Sequence, residues 1–347
     1  EDLNMIIPAL LSLGAVAASV VSPHAHDADT VTPPKGRFTT YSTETYHALG
    51  VLPTETIPDE ECWMETSQDG CSLENFNVGD IVKIYPGGNT ACMDYDSPFG
   101  FAVRKGDPKK VIFYFSGGGA CWNQQIYDFG LCKTESSLPP DIDGIFAADE
   151  NSKFKDYTSI LVTYCSGDIF LANGQADFVG VNGSVIMQTG AENARATLNW
   201  LKAQMHSGSY LGEVADELVI GGISAGALGG PVWSNKILRD IKAKETVVIA
   251  DSFVNPMPTP YQGALLNEIG DICKTWDIVP TLELRVLCKN NKLTINDLIQ
   301  YSMRKNPRTT FAFVQAKFDA IQVLYYNAVL GTFGQAGISA NEYYDVS

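Results

Sequence analysis

Short apolar runs alternate with segments of helical periodicity along the last two thirds of this chain. Unbroken runs rich in β-branched and aromatic residues are typical of strands buried on both faces, and they occur at 110–115, 159–164, 217–220, 246–250 and 310–315. Apolar positions three and four residues apart predict helices at 191–205, 227–241 and 293–303. This alternation predicts an α/β fold with a mostly parallel sheet and helices on both faces.

The first hundred residues lack that alternation. Residues 5–21 form an apolar stretch of signal-peptide length, with a cleavage position after Ala17. We therefore predict a signal peptide or leader at 1–28, with an uncleaved anchor as the alternative. Residues 29–106 contain many Pro and Gly residues and predict a linker and an irregular, disulfide-held lead-in, whereas 107–347 predicts the α/β core.

Composition narrows the class of partner. Hydrophobic residues make up 45% of the 347 residues, which is enough for a large core, and the net charge is −16. Nucleic acids and anionic membranes attract clustered Lys and Arg, so this charge argues against both as partners. We expect a monomeric protein without stable membrane association once the leader is removed.

Eight cysteines behind an apolar leader predict disulfides in an oxidising compartment, and hence a secreted protein. Eight cysteines allow 105 pairings. Proximity in sequence favours Cys62–Cys71, Cys121–Cys132 and Cys273–Cys288. The chain has no C-x-x-C pair or Cys/His cluster, so we expect no metal site.

The strongest chemical motif is Gly-Ile-Ser-Ala-Gly at 222–226, between a predicted strand and a predicted helix. A serine in such a sharp turn presents its hydroxyl at the edge of the sheet as a nucleophile. Residues two positions away must lack side chains, and Gly222 and Gly226 meet that requirement. The alternative is a glycine-rich turn without chemistry.

A second glycine-rich segment, SGGGACW at 116–122, follows an early strand. Acyl transfer forms a tetrahedral oxyanion that needs preorganised N–H donors, and a glycine run lets backbone N–H groups approach a ligand closely. A phosphate-binding loop is the alternative, but neither a Gly-Lys-Ser/Thr nor a G-x-G-x-x-G pattern is present.

These segments resemble the pectin acetylesterase/Notum carboxylesterase family. The matching motifs keep the family's order and lie at 116–122, 164–168, 221–229, 250–252 and 316–322. The resemblance implies a secreted α/β-hydrolase that cleaves carboxylic esters without a cofactor. It implies Ser224 as the nucleophile and Asp319 as the acid, with Asp251 as the alternative acid. Three backbone N–H groups would form the oxyanion hole: Gly118, Gly119 and Ala225.

Three further residues are assigned to the surroundings of the site. Asp168 is interpreted as a solvated loop carboxylate, with substrate contact as the alternative. Trp122 either lines the pocket or packs in the core. Phe170 stands where relatives often carry histidine, which makes that wall of the pocket more apolar.

The general base is the missing element. The chain has four histidines, and none follows Asp319, where the family places its base: His24, His26, His47 and His206. We expect that the C-terminal part carrying the base lies outside this sequence. The alternatives are a catalytically impaired protein that kept its pocket for binding, and an unusual base such as His47 or His206.

The expected function is removal of O-acetyl or other short acyl groups from a polysaccharide or a small acyl ester. The negative charge argues against polyanionic substrates at low salt. The alternative is a secreted glycan- or lipid-binding protein with a degenerate site.

Overall fold

The computed structural model describes residues 60–66, 70–94, 97–137, 152–253, 257–316 and 319–346. One compact unit comprises 55–139 and 156–347 and contains every element below. A second unit comprises 1–54 and 140–155, of which 152–155 are described. The predicted leader and linker at 1–59 therefore lie outside the described residues.

An eight-stranded sheet organises the larger unit, in the order β1-β2-β3-β5-β4-β8-β9-β10. Of its strands only β3 runs antiparallel to its neighbours. A separate hairpin is formed by β6 and β7. The strands span Glu60–Trp63, Ile81–Tyr85, Phe101–Arg104, Asp107–Phe115, Tyr157–Val162, Gly174–Val179, Val185–Gln188, Ala215–Ile223, Ala243–Asp251 and Thr310–Val314.

Eight α-helices are described, and they include the three that periodicity predicts. Their bounds are Gln124–Asp128 (α1), Gly190–Gln204 (α2), Ala225–Asp240 (α3), Thr259–Glu268 (α4), Leu282–Lys289 (α5), Ile295–Lys305 (α6), Ala320–Thr332 (α7) and Ala340–Val346 (α8). Helix α3 packs on β4, β8 and β9 at the centre of the sheet. The predicted α/β fold with a mostly parallel sheet is confirmed.

Part of the irregular lead-in predicted within 29–106 forms regular strands in the structure. Its described part contributes β1, β2 and β3 to the sheet, so the ordered fold begins before residue 107. These strands have four or five residues and are separated by longer connecting segments at 64–80 and 86–100. Such short strands give little periodicity, which is why the pattern alone misses them.

All eight cysteines form disulfides. The three pairs predicted from proximity are confirmed. The fourth, Cys92–Cys165, joins residues 73 positions apart and ties the segment after β2 to the end of β5.

Candidate active site

Ser224 lies between the end of β8 and the start of α3, at the carboxyl edge of the sheet. Its φ of 55° and ψ of −117° are a conformation that non-glycine residues rarely adopt. The glycines two positions before and two positions after Ser224 have no room for a side chain. A Cβ at Gly222 would lie 2.0 Å from the Gly226 carbonyl oxygen, and one at Gly226 would lie 2.0 Å from that of Phe115. The turn therefore has the geometry expected of a nucleophile elbow.

The strain at Ser224 gives a stability prediction. Because sparsely populated backbone conformations cost about 1–3 kcal/mol, Ser224→Gly should be about 1 kcal/mol more stable than Ser224→Ala. Chemical denaturation of the two variants measures the difference. The same pair at Ser234, inside α3, should give the opposite order, since glycine is unfavourable in a helix. Equal stability of the two Ser224 variants would show that the turn is unstrained.

The glycine loop 116–119 lies directly beside the elbow. A Cβ at Gly117 would lie 3.1 Å from the Cβ of Ser224, so this glycine allows the close approach. Gly118 lies against the ring of Tyr164, and Gly119, at φ 76°, lies against the Leu131 carbonyl and the Tyr325 hydroxyl. The structure thus brings together the two segments that sequence reasoning linked.

The amides of this region are available for a ligand. Within the described part of the chain, the N–H groups of Gly118 and Gly119 donate no hydrogen bond, although Ala120 and Cys121 beside them do. Ala225 is the first residue of α3, and its N–H therefore has no acceptor within that helix. Gly117 belongs to the predicted glycine run but is not among the predicted donors, and of the three loop glycines it is the one that lies against Ser224.

Two acidic residues lie at or after the carboxyl ends of β9 and β10, on the same side of β8. Asp251, at the end of β9, accepts a hydrogen bond from the Ser224 N–H at 3.0 Å through its carbonyl, and its carboxylate accepts one from the Ser252 hydroxyl at 2.7 Å. Asp319 follows β10 and caps the N-terminus of α7. Both predicted acids are therefore at the carboxyl edge of the sheet.

Asp168 is buried, which contradicts its interpretation as a solvated or substrate-contacting carboxylate. Its side chain is fully inaccessible. Oδ1 accepts from the Ser166 hydroxyl and the Phe170 N–H, and Oδ2 accepts from the N–H groups of Ala172 and Gly190. Burial raises the pKa of this carboxyl to about 6, although the four donors oppose the rise. Gly190 begins α2, so Asp168 joins the 166–172 loop to that helix.

The 166–172 loop packs against α3, the helix that follows Ser224. Ile169 and Phe170 both have positive φ, at 53° and 64°. The Phe170 carbonyl accepts from the Trp233 indole of α3 at 2.8 Å, and its ring packs on Phe115. Phe170 is 1% exposed and is a packing residue rather than a pocket wall.

Trp122 is also a packing residue. It is 2% exposed, and its indole donates to Thr332 in α7 at 2.9 Å. The Tyr325 hydroxyl, on the same helix, donates to the Leu131 carbonyl beside Gly119. Helix α7 is therefore capped by Asp319 at its N-terminus, and it contacts Gly119 through Tyr325 and Trp122 through Thr332.

Only one histidine, His206, belongs to the described residues; His24, His26 and His47 lie outside them. His206 is exposed and precedes β8, whereas Ser224 follows it. The nine residues of β8 span about 30 Å at roughly 3.3 Å per residue, and Tyr210, close to His206 in the same loop, contacts the Gly106 carbonyl just before β4, at the other end of the sheet from Ser224. His206 is thus at the opposite edge of the sheet and is not the unusual base.

Among the residues that the structure describes, no helix is long and apolar enough to cross a membrane. The same residues contain no group of three or more His, Cys, Asp or Glu side chains placed to hold a metal ion.

A family model described as pectinacetylesterase matches residues 80–332. No curated protein matches the chain. Two crystal forms of the Wnt deacylase Notum from Drosophila are similar at 18% identity, with TM-scores of 0.47 and 0.46. The alignments cover 72% and 71% of this chain and 78% and 77% of those chains.

Proposed function

Because the chain belongs to the pectinacetylesterase family, we propose that it is a secreted serine carboxylic-ester hydrolase with Ser224 as its nucleophile. The Ser224 oxygen attacks the ester carbonyl carbon while a base takes the hydroxyl proton. The tetrahedral intermediate collapses, and the alcohol leaves with a proton returned by that base. Water then releases the acyl group by the same steps.

One observation carries the proposal, namely the contact between the glycine loop and the strained serine. The approach of Gly117 to Ser224 supports an oxyanion hole formed by the N–H groups of Gly118, Gly119 and Ala225, for which the described residues provide no acceptor. Donors fixed before the reaction stabilise the oxyanion without reorganisation, and each contributes about 3–4 kcal/mol to the lowering of the barrier. The N-terminus of α3, which is the positive end of the helix dipole, also stabilises the negative charge of the oxyanion.

We assign Asp319 as the acid that orients the base, and Asp251 as its competitor. Both are half-buried and lie at the same edge as Ser224. The order serine, then acid, agrees with α/β-hydrolase triads, in which histidine comes last. The proposed base is a histidine that the described residues do not contain.

The proposed substrate is an acylated polysaccharide or a small acyl ester, from which the enzyme removes O-acetyl or other short acyl groups. A net charge of −16 favours a neutral glycan over a polyanionic one. Four disulfides support an extracellular location. We further propose that the enzyme works as a monomer and without a cofactor.

The position of His206 favours a second candidate function. Because the one described histidine lies at the opposite edge of the sheet, the site as described lacks a base. A catalytically impaired protein would keep the glycine loop and elbow as a binding site for glycan or lipid esters.

A fluorophosphonate probe separates the two functions, because it reacts with activated serines only. We expect stoichiometric labelling of the full-length protein on the peptide that contains Ser224, as located by mass spectrometry. Asp319→Asn should slow labelling about 100-fold or more, since loss of the orienting acid can cost about 10⁴-fold. Asp251→Asn should have the smaller effect. The reverse order would make Asp251 the acid, and absence of labelling would favour the binding protein.

A further inference from the structure

The carboxylate of Asp319 is held by four hydrogen bonds. Oδ1 accepts from the N–H groups of Ile321 and Gln322, both at 3.0 Å, as the N-cap of α7. Oδ2 accepts from the side-chain amides of Gln322 at 3.0 Å and Gln315 at 3.1 Å. A carboxylate has about four acceptor positions, so this set occupies all of them.

The two glutamines differ in how firmly they are held. Gln322 is 3% exposed, and its Oε1 accepts from the Tyr343 hydroxyl of α8 at 3.0 Å. Gln315 shares its amide with the Ala316 carbonyl at 3.1 Å, and its buried Oε1 has no partner in the described part of the chain. Gln322 is therefore the fixed donor to Asp319, and Gln315 is the exchangeable one.

The Tyr343 hydroxyl determines which way the Gln322 amide points. If the amide were reversed, its oxygen would face the Asp319 carboxylate and its nitrogen would face Tyr343. With the tyrosine as donor to Oε1, the NH₂ group must face Asp319. Burial and the nearby Asp319 raise the pKa of Tyr343, so its hydroxyl keeps the proton that it donates.

Resting on the proposed function, we propose that Tyr343 and Gln322 form a positioning pair that fixes the Asp319 carboxylate for the catalytic base. Oδ1 is occupied by the backbone N–H groups at the N-terminus of α7. Oδ2 is therefore the oxygen that can accept a hydrogen bond from an imidazole N–H. The Gln322 amide holds Oδ2 in place, while Gln315 gives up its position when the base binds there. Neither Tyr343 nor Gln322 contacts the reacting atoms.

The test compares Tyr343→Phe and Gln322→Glu with matched controls in the full-length protein. The controls are Tyr301→Phe on α6 and Gln335→Glu, an exposed residue after α7. For p-nitrophenyl acetate we expect Tyr343→Phe to lower kcat about fivefold with unchanged KM, the cost of one lost hydrogen bond. Both controls should keep the wild-type kcat.

Gln322→Glu gives a signature that a merely structural role would not. The introduced carboxyl, when ionised, repels Asp319, and kcat at pH 8 should fall about tenfold or more. When it is protonated it donates to Asp319 again, so the ratio of variant to wild-type kcat should rise as the pH falls. The titratable side chains around it are Asp319 and Tyr343, and Tyr343 in turn packs on Tyr326.

Two results overturn the inference: wild-type kcat in both variants, or a loss in Gln322→Glu that is constant with pH and parallels a lower melting temperature. If Gln322→Glu does not fold, Tyr343→Phe alone decides, since it removes one oxygen. Ser224→Ala separates this failure from that of the proposed function. If Ser224→Ala is inactive while Tyr343→Phe and Gln322→Glu keep wild-type activity, only the positioning pair is refuted. If Ser224→Ala keeps its activity, the esterase mechanism itself is refuted.

Discussion

Replacing Ser224 by alanine should lower kcat for p-nitrophenyl acetate hydrolysis by the full-length protein about 10⁴- to 10⁶-fold, the range found when a serine nucleophile is removed. The hydroxyl is the attacking group, and no other serine occupies a strand-to-helix turn beside the glycine loop in the described residues. The remaining amides still stabilise an oxyanion, so hydrolysis about 10³-fold above the rate in water should persist. Initial rates under saturating substrate measure the change.

The control is Ser207→Ala, which removes a hydroxyl from an exposed turn at the opposite edge of the sheet. It should keep the wild-type kcat, and the melting temperature of Ser224→Ala should not fall. Substantial turnover by Ser224→Ala would rule out the assigned nucleophile. An equal loss in Ser207→Ala would show that the assay reports folding rather than chemistry.

Replacing Asp168 by asparagine should lower the free energy of unfolding by about 3–5 kcal/mol, the cost of leaving buried hydrogen-bonding groups unpaired. Both oxygens of Asp168 accept two hydrogen bonds, so either orientation of an amide directs its NH₂ group at an N–H or O–H donor. Denaturant titration at pH 7 measures the loss. Asp177→Asn, on the exposed side of β6, should change little. A loss below 1 kcal/mol would mean that the loop does not depend on this carboxylate.

The difference in the free energy of unfolding between wild type and Asp168→Asn should depend on pH, because the pKa of Asp168 is raised. A carboxyl whose pKa is about 6 in the folded protein stabilises the fold most below its ordinary pKa, and this stability declines as the pH rises through 6. The protonated form can donate to the Ser166 hydroxyl, which lies 2.6 Å away. Wild type should therefore exceed Asp168→Asn by up to about 3 kcal/mol more at pH 4 than at pH 7. A pH-independent gap would show that the four donors keep Asp168 ionised throughout.

The parts of the fold that sequence patterns predict are those with strong local signals. Strands β4, β5, β8 and β9 each contain a run of at least three apolar residues buried in the core, so the sequence pattern alone predicts them. The three disulfides between nearby cysteines follow from short separations. Strands β1 to β3 gain their stability from pairing with each other and with β5, and that tertiary contribution leaves little periodicity in the sequence.

For the site, the order of motifs predicts which segments meet but not how each side chain is used. The elbow and the glycine loop are adjacent as expected, yet the closest glycine is Gly117 rather than Gly118 or Gly119. Asp168 could not be recognised as buried, because one of its donors, Gly190, lies 22 residues further along the chain. Likewise, the contact of Gln322 with Tyr343 depends on how α7 and α8 pack.

The disulfide between Cys92 and Cys165 has a consequence for folding. It is the one pair of the four in which both cysteines are buried. Its loop of 73 residues removes about 4–5 kcal/mol of chain entropy from the unfolded state, against about 3 kcal/mol for the 15-residue loop. Cys92 precedes β3 and Cys165 follows β5, so pairing of these two strands brings the thiols together, and we expect this disulfide to form after the three short-range ones. A disulfide isomerase should therefore accelerate recovery of the native protein more than oxidant alone.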